Sequence, residues 1–185
     1  MREALLLMDF QHYPVQAVPG SGAAVGAARR ALAAARRAGL TVIHIRVAFR
    51  PGHPEIPTRI HAFDGLLGTE VFSETNTHTR FEIEPIEGEV VVTKRFYSGF
   101  GHSDLDIVLR AAGAEQVTMA GLATSGVVLS TVRDALERGY RTTVLADACA
   151  DPDPEVHRVL MDKVIAPNAD VLTVDAWTRT LPVAA

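Results

Sequence analysis

Cysteine is almost absent from this chain: Cys149 is the single one among 185 residues. A disulfide framework and a cysteine-based metal site within the chain are therefore excluded. Long hydrophobic runs are missing too, since the segment MREALLLMDF reaches an acid at Asp9 after a short apolar stretch. That stretch is far too short for a signal peptide or a transmembrane span. We therefore expect a cytoplasmic protein that makes no membrane contact.

An excess of positive charge is also missing. The chain has 18 Lys and Arg residues against 22 Asp and Glu residues, a formal net charge of -4. This balance provides no broad basic surface for nucleic acid or for an anionic membrane. No Gly-rich phosphate-binding motif follows any predicted strand, so we expect no nucleotide and no other cofactor. The 48% hydrophobic content is ordinary for a globular chain, and we predict a single domain over residues 1–185.

Short apolar runs do alternate with helical segments along the chain. We predict strands at 4–8, 41–47, 89–93, 116–120, 141–146 and 170–174, and helices at 21–38, 103–113, 125–138 and from Pro154. This alternation predicts an α/β fold, a Rossmann-type three-layer sandwich with a doubly wound, mostly parallel six-stranded sheet. Residues 14–20 are predicted to be a loop, and Gly121 to end the fourth strand. The irregular stretch 50–88 is expected to fold over the sheet edge or to reach a second subunit.

Ligands of such sheets bind beyond the carboxyl ends of the strands. Three places are selected by that rule: Asp9 after the first strand, Lys94 after the third and Gly121–Val127 after the fourth. A partly desolvated carboxylate is suited to proton transfer, and a lysine beside it can hold that charge or orient a substrate oxygen. The alternatives are a structural cap or ion pair for Asp9 and a solvent-exposed amine for Lys94.

The segment GLATSGVVLSTVRDA, residues 121–135, is predicted to be a strand, a turn and a helix. Its small residues allow close backbone approach to a ligand, and the amides at the new helix start can stabilise an oxyanion. In a cysteine hydrolase the nucleophile would lie at this helix start.

Four motifs in this order resemble the isochorismatase-like family, which includes nicotinamidases, N-carbamoylsarcosine amidases and isochorismatases. They are LLLMDFQ, VVTKRFYSGF, AGLATSGVVLSTVRDA and ADACADPDPEVH. The resemblance implies that Asp9 is the catalytic acid, that Lys94 is the catalytic lysine and that Val127 stands where amide-hydrolysing members have cysteine. It also implies a cis peptide at Leu122–Ala123, oxyanion donors at the amides of Ala123 and Val127, and a homo-oligomer, a dimer or tetramer.

A valine cannot attack a carbonyl, so the resemblance leaves three hypotheses open. Isochorismatases proper also lack the cysteine, and hydrolyse a vinyl ether with a proton from the aspartate. The leading hypothesis is therefore a non-covalent Asp9/Lys94 hydrolase of a small vinyl ether or amide-like substrate. The alternatives are a non-catalytic ligand-binding or assembly protein, and an amidase disabled at Val127. Four arginines are candidates for holding a dicarboxylate, although they form no clear set: Arg46, Arg50, Arg59 and Arg95.

Other side chains could add to the site. Aromatic residues near the strand ends, with Thr124, are predicted to line a substrate pocket, or else to lie in the core or an interface: Phe10, Tyr13, Tyr97 and Phe100. Cys149 is expected to be a small buried residue. Thr124 and Ser125 have no histidine nearby in sequence, and Ser125 favours a helix N-cap. The loop histidines His53 and His61 lack an Asp-x-His pattern, so we expect no metal.

Overall fold

The computed structural model describes residues 2–66 and 68–182. Its sheet has six parallel strands in the order β3-β2-β1-β4-β5-β6. They are β1 (Glu3–Met8), β2 (Thr41–Val47), β3 (Val90–Lys94), β4 (Gln116–Leu122), β5 (Arg141–Ala150) and β6 (Asp170–Leu172). The order reverses direction at β1, which confirms the doubly wound α/β fold predicted from the alternation.

Helices lie on both faces of this sheet. They are α1 (His12–Ala17), α2 (Ser21–Arg37), α3 (Leu105–Ala111), α4 (Leu129–Glu137), α5 (Pro154–Val159) and α6 (Val174–Thr178). Short 3-10 turns cover His61–Leu66 and Thr77–Thr79, and π-turns cover Thr124–Val128 and Leu160–Ile165. No helix in the described part of the chain is long and apolar enough to cross a bilayer.

The core has two halves because successive side chains of a buried strand point to opposite faces. On β1, Leu5 and Leu7 pack against the alanine-rich face of α2 and against α6. Leu6 and Met8 pack on the other side with residues from α3 and α4. These two apolar layers hold the carboxyl ends of β1 and β4 side by side, where the predicted site residues begin.

Several predicted boundaries are wrong. The third strand covers Val90–Lys94 rather than 89–93, β5 continues to Ala150 rather than ending at 146, and α4 begins at Leu129 after a π-turn rather than at 125. The predicted loop 14–20 contains most of α1, because Pro14 lies in the first helical turn, where an amide hydrogen has no helical partner. The sixth strand ends at Leu172, and Thr173 caps α6 by accepting from the Ala176 amide at 3.2 Å.

Serine hydroxyls lie at the starts of two helices. Ser21 is the first residue of α2, and its hydroxyl donates to the Val15 carbonyl at 2.6 Å. The helix predicted from Ser103 begins at Leu105, whose amide donates to the Ser103 hydroxyl at 3.2 Å.

Gly121 does not end the fourth strand as predicted. The strand continues to Leu122, with Gly121 paired to Met8 on one side and to Cys149 on the other. A Cβ at Gly121 would lie 2.9 Å from the Met8 carbonyl oxygen. The glycine is therefore explained by close strand packing and not by a turn.

The long segment between β2 and β3 packs over the carboxyl ends of the central strands. Gln11 forms an antiparallel bridge with Phe81, and Phe49 forms a parallel bridge with Ser73. Val47, Phe49, Ile56 and Phe63 make a third apolar cluster there. The segment thus folds over one end of the sheet and forms the roof of a cavity. Its reaching a second subunit stays a prediction.

Candidate functional site

The ends of β1, β3 and β4 meet at a cavity of about 340 Å³. Asp9 follows β1, Lys94 closes β3 and the turn after β4 forms the floor beside them. The roof comes from the segment 50–88. The lining comprises Asp9, Tyr13, Pro14, Val18, Val47, Phe49, Phe63, Leu66, Phe72, Lys94, Phe96, Tyr97, Leu122, Ala123, Ser125, Gly126, Val127 and Pro152.

Asp9 and Lys94 form a buried ion pair at this cavity. The Lys94 Nζ lies 2.9 Å from Asp9 Oδ2, and the two side chains are 3% and 7% exposed. Nζ also donates to the Phe96 carbonyl at 2.8 Å. The Asp9 backbone has φ of 57°, and its amide donates to the Ile45 carbonyl at 2.8 Å. Both ends of the pair are therefore fixed by the backbone around them.

The second oxygen of the Asp9 carboxyl, Oδ1, is buried and has no hydrogen-bond partner among the described residues. Burial raises the pKa of Asp9, while the charge and hydrogen bond of Lys94 and the Val47 backbone oppose that rise. A carboxyl group balanced in this way can hold a proton near a bound molecule or accept one from it.

Gln11 is a supporting residue that the sequence reasoning missed. Its side chain is fully buried, and Nε2 donates to the Val47 carbonyl at 3.0 Å and to the Thr79 carbonyl at 2.9 Å. Its Oε1 accepts from the Val47 amide at 2.9 Å. These bonds tie the end of β2 and the roof segment to the residues just after Asp9. The sequence contained an indication of this residue, because Gln11 is the last residue of the motif LLLMDFQ.

The peptide bond Leu122–Ala123 is cis, as the family resemblance implies. The Ala123 carbonyl accepts from the amides of Gly126 and Val128, at 3.2 and 3.3 Å. The N-cap prediction for Ser125 is wrong, because Ala123 occupies that position and Ser125 lies inside the π-turn. The Ser125 amide donates to Asp151 Oδ2 at 2.6 Å. Asp151, a residue of the ADACADPDPEVH motif, therefore anchors the turn from outside.

Val127 lines the cavity at the position where the resemblance places a nucleophile, and it is 2% exposed. Cys149 does not replace that nucleophile. It is buried in the core layer beneath α4, as predicted, and burial raises the pKa of its thiol to about 12. A thiol of this kind stays protonated and inert.

Thr124, predicted to line the substrate pocket, is not among the residues that line the cavity. Its side chain is fully buried, and Oγ1 lies 2.8 Å from His157 Nδ1 in α5. Sequence distance concealed this histidine, which comes 33 residues later. Burial lowers the pKa of His157, although Asp151 and Asp162 oppose the shift. The pair fastens α5 to the back of the turn.

The structure places two of the four predicted aromatic residues at the cavity. Tyr13 and Tyr97 line the cavity, whereas Phe10 and Phe100 do not. Phe10 belongs to the core layer under α2. Phe100 stacks on Tyr140 in the opposite layer, with their ring centroids 6.0 Å apart. Four further phenylalanines line the cavity and were not predicted: Phe49, Phe63, Phe72 and Phe96.

The two loop histidines do not meet. His53 is 4% exposed, and its Nε2 has no hydrogen-bond partner in the part of the chain that the structure describes. His61 is an exposed residue whose Nδ1 lies 3.0 Å from Asp64 Oδ2. Within residues 2–66 and 68–182, no three His, Cys, Asp or Glu side chains group as metal ligands would. The metal-free site stays a prediction.

Comparison with known proteins is consistent with this geometry. Maleamate amidohydrolase of Pseudomonas putida is 30% identical over 184 residues, 93% of this chain and 83% of that protein. Ureidoacrylate amidohydrolase RutB of Methylobacterium radiotolerans is 32% identical over 162 residues, 80% of this chain and 63% of that protein.

Solved structures with this fold also belong to hydrolases of this kind. A cysteine hydrolase from Pseudomonas syringae pv. phaseolicola superposes with a TM-score of 0.90 at 26% identity, covering 100% of this chain and 94% of that one. The N-carbamoylsarcosine amidase of Thermoplasma acidophilum superposes at 0.78 and 31% identity, covering 95% and 98%. The isochorismatase domain family matches residues 3–176. The chain belongs to this family and is an isochorismatase-type hydrolase.

Proposed function

We propose that this hydrolase acts on a small amide-like or vinyl ether substrate without a covalent intermediate. Asp9 is the general acid and base, and Lys94 is its electrostatic partner. The observation that carries the proposal is the buried Asp9–Lys94 pair at a cavity where Val127 stands in place of a thiol. The amides of Ala123 and Val127 are the proposed donors to developing negative charge.

With an amide, ionised Asp9 takes a proton from a water molecule, whose oxygen adds to the carbonyl carbon. The negative charge on the former carbonyl oxygen is stabilised by the two backbone amides. The C–N bond then breaks as Asp9 returns the proton to the leaving nitrogen. With a vinyl ether, protonated Asp9 delivers its proton to the double bond, and water adds to the resulting oxocarbenium ion and returns a proton to Asp9. The hemiketal then breaks its C–O bond, which releases the alcohol and leaves a carbonyl product.

The names of three similar proteins favour the amide-like substrate. Maleamate, ureidoacrylate and N-carbamoylsarcosine hydrolysis all break a C–N bond beside a carbonyl group. The proposed partners are a small-molecule substrate and further copies of the chain. We propose no nucleic acid or membrane partner, and we propose that the protein acts in the cytoplasm. Light scattering after size-exclusion chromatography tests the oligomer, and a clean monomer would count against it.

Turnover of a panel of small amides and vinyl ethers by wild type and Asp9→Asn tests the mechanism. Asp170→Asn is the matched control, because Asp170 lies on the surface, paired with Arg141 at 3.1 Å. We expect turnover by wild type and the control, its loss in Asp9→Asn, and no covalent adduct in acid-quenched samples by mass spectrometry. Equal turnover by all three proteins would refute the role of Asp9. Binding without turnover by any of them would favour a non-catalytic binding protein.

A further inference from the structure

The charge on the cavity wall restricts what can enter. Among the lining residues in the described part of the chain, Asp9 and Lys94 are the charged ones, and they neutralise each other at 2.9 Å. The remaining lining is aliphatic or aromatic, apart from Ser125 and the hydroxyls of the two tyrosines. The wall therefore has no net charge to offer an anion.

Lys94 is not free to hold a substrate carboxylate. Its Nζ already contacts Asp9 Oδ2 and the Phe96 carbonyl, at 2.9 and 2.8 Å, and the side chain is 3% exposed. A carboxylate that captured Nζ would leave Asp9 as a buried charge without a partner. Such an exchange is unfavourable, because a buried unpaired charge has lost its hydration.

None of the four candidate arginines lines the cavity: three are engaged elsewhere, and Arg59 is exposed on the segment 50–88. Arg46 donates to Thr93 Oγ1 at 3.0 Å. Arg50 pairs with Glu55 at 2.7 Å, and Arg95 donates to the Ala48 carbonyl and lies 3.8 Å from the same Glu55. Arg50 and Arg95 thus share the carboxylate of Glu55, which lies outside the cavity lining.

Aromatic rings that contact one another line the cavity, two of them from the roof segment and three from elsewhere in the chain. Phe63 stacks on Tyr97 with centroids 5.3 Å apart and planes 28° apart, and meets the edge of Phe96 at the same distance. Tyr13 meets Phe72 edge-on at 5.2 Å. Ring faces of this kind contact flat apolar groups well.

From this lining we infer that the substrate is a neutral amide whose acyl part is flat and apolar, and that a carboxylate on the acyl part is rejected. The inference depends on the proposed function for the reacting bond. The buried Asp9 Oδ1, which has no hydrogen-bond partner within residues 2–66 and 68–182, accepts the N–H of the amide. The contacting aromatic rings cover the acyl group. Specificity then differs from that implied by the name maleamate amidohydrolase, whose substrate carries a carboxylate.

Binding of two nearly isosteric compounds tests the inference. Maleamate and (Z)-but-2-enamide differ by a carboxylate in place of a methyl group, and benzamide and 3-carboxybenzamide form a second pair. We expect wild type to bind each neutral compound at least about tenfold more tightly, by calorimetry at neutral pH. Equal or tighter binding of the charged compounds, or binding of neither, would overturn the inference.

Leu66→Arg provides the converse test, because Leu66 lines the roof and is partly exposed, so that a long cationic side chain can reach the cavity from solvent. Leu66→Met is the matched control of similar volume. We expect Leu66→Arg to improve maleamate binding about tenfold relative to (Z)-but-2-enamide, and Leu66→Met to keep the wild-type ratio. An unchanged ratio in a folded Leu66→Arg protein would contradict the inference.

The two proposals can fail separately. Preference for neutral compounds in binding, with no turnover of any compound, would reject the hydrolytic mechanism and leave the inference intact. Faster turnover of maleamate than of (Z)-but-2-enamide, lost in Asp9→Asn, would support the mechanism and reject the inference.

Discussion

The Lys94 Nζ lies 2.9 Å from Asp9 Oδ2, and neither side chain is more than 7% exposed. The two residues come from different strands of the sheet, so the folded chain alone holds them together. Each charge is tolerable in the interior only because the other is present, since an unpaired buried charge is much more costly than a buried pair. The stability of the fold and the proposed mechanism therefore depend on the same contact.

Lys94→Met is expected to destabilise the protein by about 3–5 kcal/mol, because it leaves the Asp9 carboxylate buried without its partner. Adding Asp9→Asn to it should recover much of that loss, because no charge is then buried. Urea denaturation measures the free energy of unfolding of each variant. Lys163→Met is the matched control, since Lys163 is an exposed residue and should tolerate the change. A double variant less stable than Lys94→Met would contradict this account of the pair.

The pH dependence of turnover should report the ionisation of Asp9. Burial raises the pKa of Asp9, so the acidic limb of kcat/KM should lie above the ordinary range of an aspartic acid. For an amide the rate rises with pH through this limb, because ionised Asp9 is the base. For a vinyl ether it falls, because protonated Asp9 is the acid. Lys94→Met should move any residual limb to higher pH, since Lys94 lowers this pKa. A profile flat across that range would argue against Asp9.

The sequence predicts that Asp9 and Lys94 lie at neighbouring strand ends, and the structure places them 2.9 Å apart, for a physical reason. Each follows a short apolar run, and the carboxyl ends of parallel strands meet at one edge of the sheet. Phe10 follows Asp9 in sequence but does not line the cavity. Adjacent side chains leave the backbone in different directions, and of these two only Asp9 faces the cavity. The pairing of Thr124 with His157 joins segments related by no periodic pattern, so the sequence alone could not reveal it.

Val127→Cys should place a reactive thiol in the cavity. The introduced side chain would lie in the turn before α4, where a helix start favours the thiolate. We expect iodoacetamide to label the variant once and to leave wild type unlabelled, because burial raises the pKa of Cys149 to about 12. Mass spectrometry of intact protein measures this, and peptide mapping identifies the labelled site. Labelling of Cys149 in folded wild type would contradict the expected contrast.

Acid stability should depend on Glu89, which precedes β3. Burial opposes its ionisation, but hydrogen bonds from Arg36, the Ile86 amide and His44 outweigh burial and lower the pKa of Glu89 to about 2. The unfolded chain takes up this proton near pH 4.5, so the stabilisation is present above that pH and is lost as the pH falls towards 2.

Glu89→Gln should therefore lower the free energy of unfolding by about 1–3 kcal/mol near neutral pH and flatten the loss of stability between pH 4.5 and 2. Urea denaturation across this pH range measures both effects. Glu155→Gln is the control, because Glu155 pairs with Arg158 on the exposed surface of α5 and should change little. An unaltered acid slope in Glu89→Gln would show that other groups set the acid limit.

Gly121→Ala connects strand packing to the site. The new Cβ would lie 2.9 Å from the Met8 carbonyl oxygen and 3.0 Å from Met8 Cβ, so β1 and β4 must separate. We expect a loss of about 1–3 kcal/mol in thermal or urea unfolding. Turnover should fall as well, because Met8 directly precedes Asp9 and its displacement moves the carboxyl group. Gly22→Ala in α2 is the matched control: nothing lies within 4 Å of its new Cβ, and removing a helical glycine should stabilise by roughly 0.5–1 kcal/mol. A Gly121→Ala protein with wild-type stability and turnover would mean that the two strands can part without disturbing Asp9.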